Sequence, residues 1–327
     1  MSGPRDKESE LLAVADLHKT FRLRGGREAS AVDGVTMSVA AGATLGIVGE
    51  SGCGKSTLAR MIVGLVQPDR GRISFDGKPL PAERSGEARR DIQMVFQDPY
   101  SALNPKASVG DSVGLALRVH GHDRAETRRR VRALLDQVGL HANHASYYPH
   151  QLSGGQRQRV NIARALALDP RLVVCDEAVS ALDKSVQAQI LALLRELRTE
   201  KNLSFVFISH DLNVVEYMSD QVAVMYLGRI VETGTPAQLY RRPLHPYTKA
   251  LLASVPQLGT KVREPPVVDG DVPSPLDPPS GCRFRTRCPH ATEICAATTP
   301  RLEEHDQGQR VACHLYPPQG EAHVRRS

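Results

Sequence analysis

Nine residues, Gly49-Glu50-Ser51-Gly52-Cys53-Gly54-Lys55-Ser56-Thr57, carry the spacing G-x-x-x-x-G-K-[ST] of a loop that wraps phosphate. Glycines at 49, 52 and 54 let successive backbone N–H groups turn toward one anion. Lys55 would reach the β- and γ-phosphates of a nucleoside triphosphate, and the Ser56 hydroxyl would ligate Mg²⁺. An acidic pair supplies the rest of a hydrolytic site. Asp176-Glu177 closes the apolar run Leu172-Val173-Val174-Cys175, so Asp176 would hold Mg²⁺ through water and Glu177 would act as general base on an attacking water. Leu152-Ser153-Gly154-Gly155-Gln156 opens a helix with two glycines and makes a second anion-binding terminus. One nucleotide site hardly needs two such ends, so the second is expected to serve a neighbouring subunit's nucleotide. Cys282, Cys288, Cys295 and Cys313 form a last group, able to close one metal site.

These groups need particular elements to hold them. The run Ala43 to Val48 reads as a strand before the glycine loop, and Leu58 to Val63 as the helix after it, whose positive end would face the phosphates. Leu11 to Leu17 and Val35 to Val39 read as strands with Arg24-Gly25-Gly26-Arg27 as a flexible tip. Between them lies Phe21, whose ring could stack on an adenine. Arg72 to Gly77 is a short strand with a turn, and Ile92 to Phe96 a buried strand ending at Gln97. From Val109 to Gly139 apolar residues recur at helical spacing, Val109, Val113, Leu115 and Leu117, then Val131, Leu134, Leu135 and Val138, as in a helical insertion. Helix 156–166, strand 172–177, helix 186–197 and strands 205–208 and 222–225 then alternate, which predicts a largely parallel sheet covered on both faces. After Pro256 the composition shifts to a proline linker, Pro265-Pro266 to Pro278-Pro279, ahead of the cysteines.

Composition narrows the class. A chain of 327 residues with 24% charged residues can bury a sizeable core. Its apolar runs are far short of the ~20 residues of a membrane helix, and its N-terminus lacks the apolar stretch of an export signal, so a cytoplasmic location is expected. The net charge of +6 is diffuse. Its densest stretch, Arg128 to Arg132, is flanked at helical spacing by Glu126 and Asp136, and with no Trp and 4% aromatics the chain offers few stacking faces for nucleic acid. Six cysteines in a reducing compartment argue against disulfides. His141, His144 and His150 could suggest a metal, but His150 simply precedes the Leu152 to Gln156 run.

From about Leu12 to Pro256 the sequence resembles the ATP-binding cassette (ABC) superfamily. The motifs come in that family's order: the loop at 49–56, Gln97 in Phe96-Gln97-Asp98-Pro99, the signature Leu152 to Gln156, Asp176-Glu177, Ser180-Ala181-Leu182-Asp183, and His210 after Ile208-Ser209. The resemblance implies an α/β P-loop NTPase fold, an ABC nucleotide-binding domain over 1–255 with a helical subdomain about 98–168, and a small cysteine-containing extension over 256–327. It implies that Phe21 stacks on adenine, Gln97 senses metal and γ-phosphate, and His210 contacts the γ-phosphate. Asp183 would communicate across a dimer, and Ser153, Gly154, Gly155 and Gln156 would meet the partner's ATP. One departure is Ala178-Val179, where the superfamily usually has Pro-Thr after the glutamate.

A finer resemblance is to the oligopeptide/dipeptide importer branch, in Gln97 to Pro105, Ser185 to Gln189 and His245 to Leu252, with the first of these leaning toward the second of the branch's two paired ATPases. It implies a second ATPase in a heterodimer, two transmembrane permeases and an extracytoplasmic peptide-binding protein, with this subunit peripheral on the cytoplasmic face of the membrane. Nickel chelate or glutathione are alternative cargoes. A soluble ABC-type ATPase acting on nucleic acid or ribosomes is the alternative class, disfavoured because the chain has neither a second cassette nor a long coiled-coil insertion. The cysteine gaps fit neither compact zinc pairs nor ferredoxin spacing. The resemblance extends to a Cys-Pro-containing tail that in some members holds a [4Fe–4S] cluster, which implies one on Cys282, Cys288, Cys295 and Cys313.

Overall fold

The computed structural model describes residues 10–23, 25–84, 86–254 and 273–317. Arg24 of the expected tip and the Pro265-Pro266 part of the expected linker lie outside the described residues. Strands β1 (Glu10–Arg22) and β2 (Glu28–Ala40) make one long antiparallel hairpin. Its alternating apolar residues, Leu12 and Val14 on one strand and Val35, Met37 and Val39 on the other, are buried. Strand β3 (Thr44–Val48) runs into the glycine loop and helix α1 (Lys55–Ile62). Strands β4 (Arg70–Phe75) and β5 (Lys78–Pro79) complete the hairpin's sheet in the order β2-β1-β4-β5.

Helix α2 (Gly86–Asp91) leads into β6 (Ile92–Val95). A helical layer follows: α3 (Pro99–Ala102), α4 (Val109–Val119), α5 (Arg124–Gln137) and α6 (Gly154–Leu166). Side chains of Ser108, Asp123 and Ser153 cap the last three by accepting backbone N–H bonds, satisfying donors that a helix start leaves free. Val109, Val113 and Leu117 of α4 are buried with Val131, Leu134 and Leu135 of α5. Leu115, counted into that pattern from sequence, instead points outward and is 57% exposed.

The chain then alternates through β7 (Leu172–Asp176), α7 (Lys184–Lys201), β8 (Ser204–Ile208), α8 (Leu212–Met218), β9 (Gln221–Tyr226), β10 (Arg229–Gly234), α9 (Pro236–Arg241) and α10 (Pro246–Ala253). Residues 273–317 add α11 (Glu293–Ala297), β11 (Glu303–Asp306) and β12 (Gln309–Val311). The second sheet has the order β11-β12-β10-β9-β3-β8-β7-β6. From β9 to β6 its five strands are parallel, and every residue of β3, β7 and β8 is buried, as strands covered on both faces require. Alternate residues serve two cores. Ile47, Val174 and Val206 face α1 and the hairpin, whereas Val48, Val173 and Phe205 face the helical layer.

The tail is part of this sheet. β12 pairs with β10 at Glu232↔Val311 and Thr233↔Arg310, an addition that the sequence reading did not foresee. Glu232 is fully buried there, and its carboxylate accepts hydrogen bonds from the Leu244 and His245 amides and from Gln309 Nε2, at 2.8–2.9 Å. Burial pushes its pKa up even though these donors oppose the shift. Asp33 makes a second weld between β2, β10 and the tail, pairing with His18, Arg229 and Arg283. Burial raises the Asp33 pKa, but Arg229 and Arg283 outweigh it and hold the carboxyl below its usual range.

Candidate active site

Four neighbouring parallel strands, in the order β3-β8-β7-β6, deliver the expected catalytic residues from their carboxyl ends, the edge where α/β sheets place ligands. After β3 comes the glycine loop. Gly49 and Gly54 have φ of 155° and 106°, and a Cβ at either would stand 2.1 Å from the Met225 carbonyl oxygen or 1.9 Å from that of Ala31. Those close approaches, rather than flexibility, are why glycine is needed at both. The Lys55 ammonium is 2.7 Å from the Gly49 carbonyl oxygen and 2.9 Å from that of Glu50, held over the loop's concave side. Cys53 is buried 3.8 Å from the same ammonium and its pKa is raised, chiefly by burial. Ser51 and Gly52 are exposed, and Thr57 sits in the first turn of α1.

After β7, the Asp176 carboxylate accepts a 2.9 Å hydrogen bond from Ser56 Oγ. Burial raises the Asp176 pKa, so a cation beside it would be favourable. Two hard oxygen donors this close suit Mg²⁺, which binds carboxylate and hydroxyl oxygen together with substrate phosphate. Glu177 follows with φ of 47°, its amide bonded to the Ile208 carbonyl at 3.0 Å. Its Oε2 accepts from Gln97 Nε2 at 3.0 Å and lies 3.3 Å from His210 Nδ1. Gln97 follows β6 and His210 follows β8, so three adjacent strand ends meet at one carboxylate oxygen.

The remaining expected residues are elsewhere. Phe21 is 37% exposed near the hairpin tip, opposite Ala29, two residues along β2 from the Ala31 carbonyl that abuts Gly54. Ser153 and Gln156 bond to each other in a capping box, with Ser153 and Gly154 exposed to solvent. A Cβ on Gly155 would stand 2.6 Å from Val186 of α7, which accounts for glycine there. Asp183 caps α7 by accepting from the Val186 amide at 2.9 Å, the largest cause of its lowered pKa. His141 and His144 are taken up in a local turn and His150 stacks on Tyr148.

Cys282, Cys288, Cys295 and Cys313 are free thiols lining one cavity of about 680 Å³. Burial is the main reason the pKa of Cys313 is pushed up to about 11, and the other three thiols add to it. Among the described residues no group of three or more His, Cys, Asp or Glu is arranged to hold a metal ion.

A family model described as ABC transporter matches residues 32–180, and another described as oligopeptide/dipeptide transporter, C-terminal region, matches 231–295, stopping short of Cys313. The oligopeptide transport ATP-binding protein OppF of Salmonella typhimurium is 48% identical, with 93% of this chain and 96% of that one covered. The chain belongs to the ATP-binding subunits of oligopeptide/dipeptide ABC transporters. The dipeptide transport ATP-binding protein DppF of Haemophilus influenzae is 44% identical, with coverage of 96% and 99%. Among solved structures, the ATPase resembles cbiO1 from Clostridium perfringens, part of the transporter complex cbiONQ, at 32% identity and TM-score 0.64, covering 72% of this chain and 92% of that one. It also resembles the dimeric post-hydrolysis cassette MJ0796 bound to ADP and Pi, at 30% identity and TM-score 0.63, with coverage of 69% and 99%. No helix among the described residues is long and apolar enough to cross a membrane.

Two contributors are not announced by the sequence. Tyr247, within the His245 to Leu252 motif, has its hydroxyl 2.9 Å from the Glu50 amide. Arg287 lies against Glu50, a contact that no local pattern announces.

Proposed function

We propose that this chain is one of two different ATPases that power import of short peptides, working as a head-to-tail heterodimer beneath two permeases that a peptide-binding protein supplies. The carrying observation is the meeting of Gln97, Glu177 and His210 beside the Lys55 and Ser56 loop, while the signature turn faces solvent and bonds within itself. Lys55 and the loop amides bind the β- and γ-phosphates, and Phe21 stacks on the adenine. Ser56 and Asp176 would hold Mg²⁺, with Gln97 as a further ligand, and the bound ion would supply charge neutralisation at the phosphates. Glu177 takes the proton of the attacking water, and His210 contacts the γ-phosphate. Ser153, Gly154, Gly155 and Gln156 close the partner's site, and Asp183 lies at that interface.

Next to Gln97, a groove of about 400 Å³ is lined by Gln93, Phe96, Leu115 and Val119. Leu65, at 61%, and Val119, at 75%, are exposed on its rim. An apolar permease helix seated there would feel Gln97 move, which couples hydrolysis to transport. We read 1–255 as the ATPase domain, with 98–168 as its helical subdomain, and 256–327 as an extension. Affinity purification of the tagged chain from membranes should recover a second ATPase and two polytopic proteins, and peptide bound to the binding protein should stimulate turnover. Recovery of ribosomes or nucleic acid without membrane proteins would reverse the assignment.

We also propose a [4Fe–4S] cluster on the four tail thiols. The support is the donor set and the space beside it: four free, half-buried cysteines line one cavity with more room than one ion takes, and folding around a cluster would draw them together. The cluster would pin the tail, since hydrolysis needs no electron. Anaerobic purification should give about four iron and four acid-labile sulfide per chain. Zinc bound without sulfide, or brown colour surviving Cys288→Ser with Cys313→Ser, overturns it.

A further inference from the structure

We infer that Arg287 is a positioning residue for the ATP site: it neutralises Glu50 inside the phosphate loop and ties that loop to the cysteine-lined cavity. The inference rests on the assignment of Gly49 to Thr57 to the ATP phosphates. Arg287 Nη1 lies 3.2 and 3.0 Å from the two Glu50 carboxylate oxygens and 3.5 Å from the Tyr226 hydroxyl. The ion pair is secluded, with the Arg287 side chain 12% exposed and that of Glu50 29%. Charge interactions in such a setting are screened less than at an open surface.

The tail's own packing fixes the arginine. Its guanidinium lies 5.8 Å from the centroid of Phe284, which is fully buried against Tyr226, Tyr247 and His245. Tyr247 in turn accepts the Glu50 amide, so one aromatic cluster supports both ends of the ion pair. On the other side, Arg287 is bonded through its amide to the Phe284 carbonyl and is followed directly by Cys288. Cys282 begins the same turn, held by a 2.7 Å bond from its amide to the Cys295 carbonyl.

Glu50 places a carboxylate in a triphosphate-binding loop, and uncompensated it would repel the incoming anion. Arg287 removes that repulsion. The arginine therefore acts on nucleotide affinity rather than on the proton transfer at Glu177, and a rearrangement of the thiol cavity would reach ATP affinity through the same guanidinium.

The test uses the full chain in the assembled transporter. Arg287→Ala should raise KM for MgATP about tenfold, which corresponds to about 1.4 kcal/mol, with kcat changed less than about twofold. Arg287→Lys, which keeps the charge, should recover most of the loss. Adding Glu50→Gln to Arg287→Ala should also recover most of it, since the repelling charge is then gone; a residue that merely supported the fold would give no such rescue. Wild-type KM in Arg287→Ala, or a double variant as weak as the single one, overturns the inference. Lys55→Ala separates the two readings. If it binds ATP normally the loop assignment itself fails, and if it loses ATP while Arg287→Ala does not, only the role of Arg287 fails.

Discussion

Glu177→Gln should bind MgATP normally and hydrolyse it at least ~100-fold more slowly, the scale of a lost general base. The substitution keeps the shape of the side chain, and an amide oxygen can still accept from Gln97 Nε2, so the cluster of Gln97, residue 177 and His210 should persist. What disappears is a group that takes a proton from water. Binding and turnover therefore separate: affinity for a fluorescent ATP analogue stays within about threefold, while phosphate release in the assembled transporter collapses. Turnover within about tenfold of wild type would remove Glu177 from the role of base.

Ser153→Arg should lower transporter turnover at least ~50-fold yet leave ATP affinity of the full-length subunit alone within about threefold. The serine hydroxyl accepts the Gln156 amide and begins α6, and its loss costs about 1 kcal/mol of cap stability, too little to unfold the chain. The new side chain would project from an exposed turn, where the partner's nucleotide is proposed to seat. A fall in the isolated subunit's own ATP affinity would contradict a role across the interface.

The parts of the site that the sequence announced are those made by short, contiguous patterns. A glycine spacing, a buried strand ending in two carboxylates and a capped helix with two glycines are local events, and each stands where it was expected. The tail strands were not legible because β11 reads Glu303-Glu304-His305-Asp306, with no apolar alternation to signal a strand. They form because β10 offers an edge and Glu232 offers buried acceptors. Long-range ion pairs such as Arg287 with Glu50 were equally silent, since charge pairing across the whole chain leaves no periodicity behind. Leu115 shows the converse, an apolar residue in a helical run that faces outward.

The ion pair joining Arg287 to Glu50 spans 237 residues, and that joining Arg283 to Asp33 spans 250. On a ribosome adding about 5–20 residues per second, the phosphate loop waits roughly 10–50 s for its counter-charge. The nascent chain thus carries a nucleotide loop whose carboxylate lacks its arginine partner until residue 287 has emerged. On the role inferred for Arg287, assembly order is written into the electrostatics: a chain that has not yet reached it should bind ATP more weakly than the finished one.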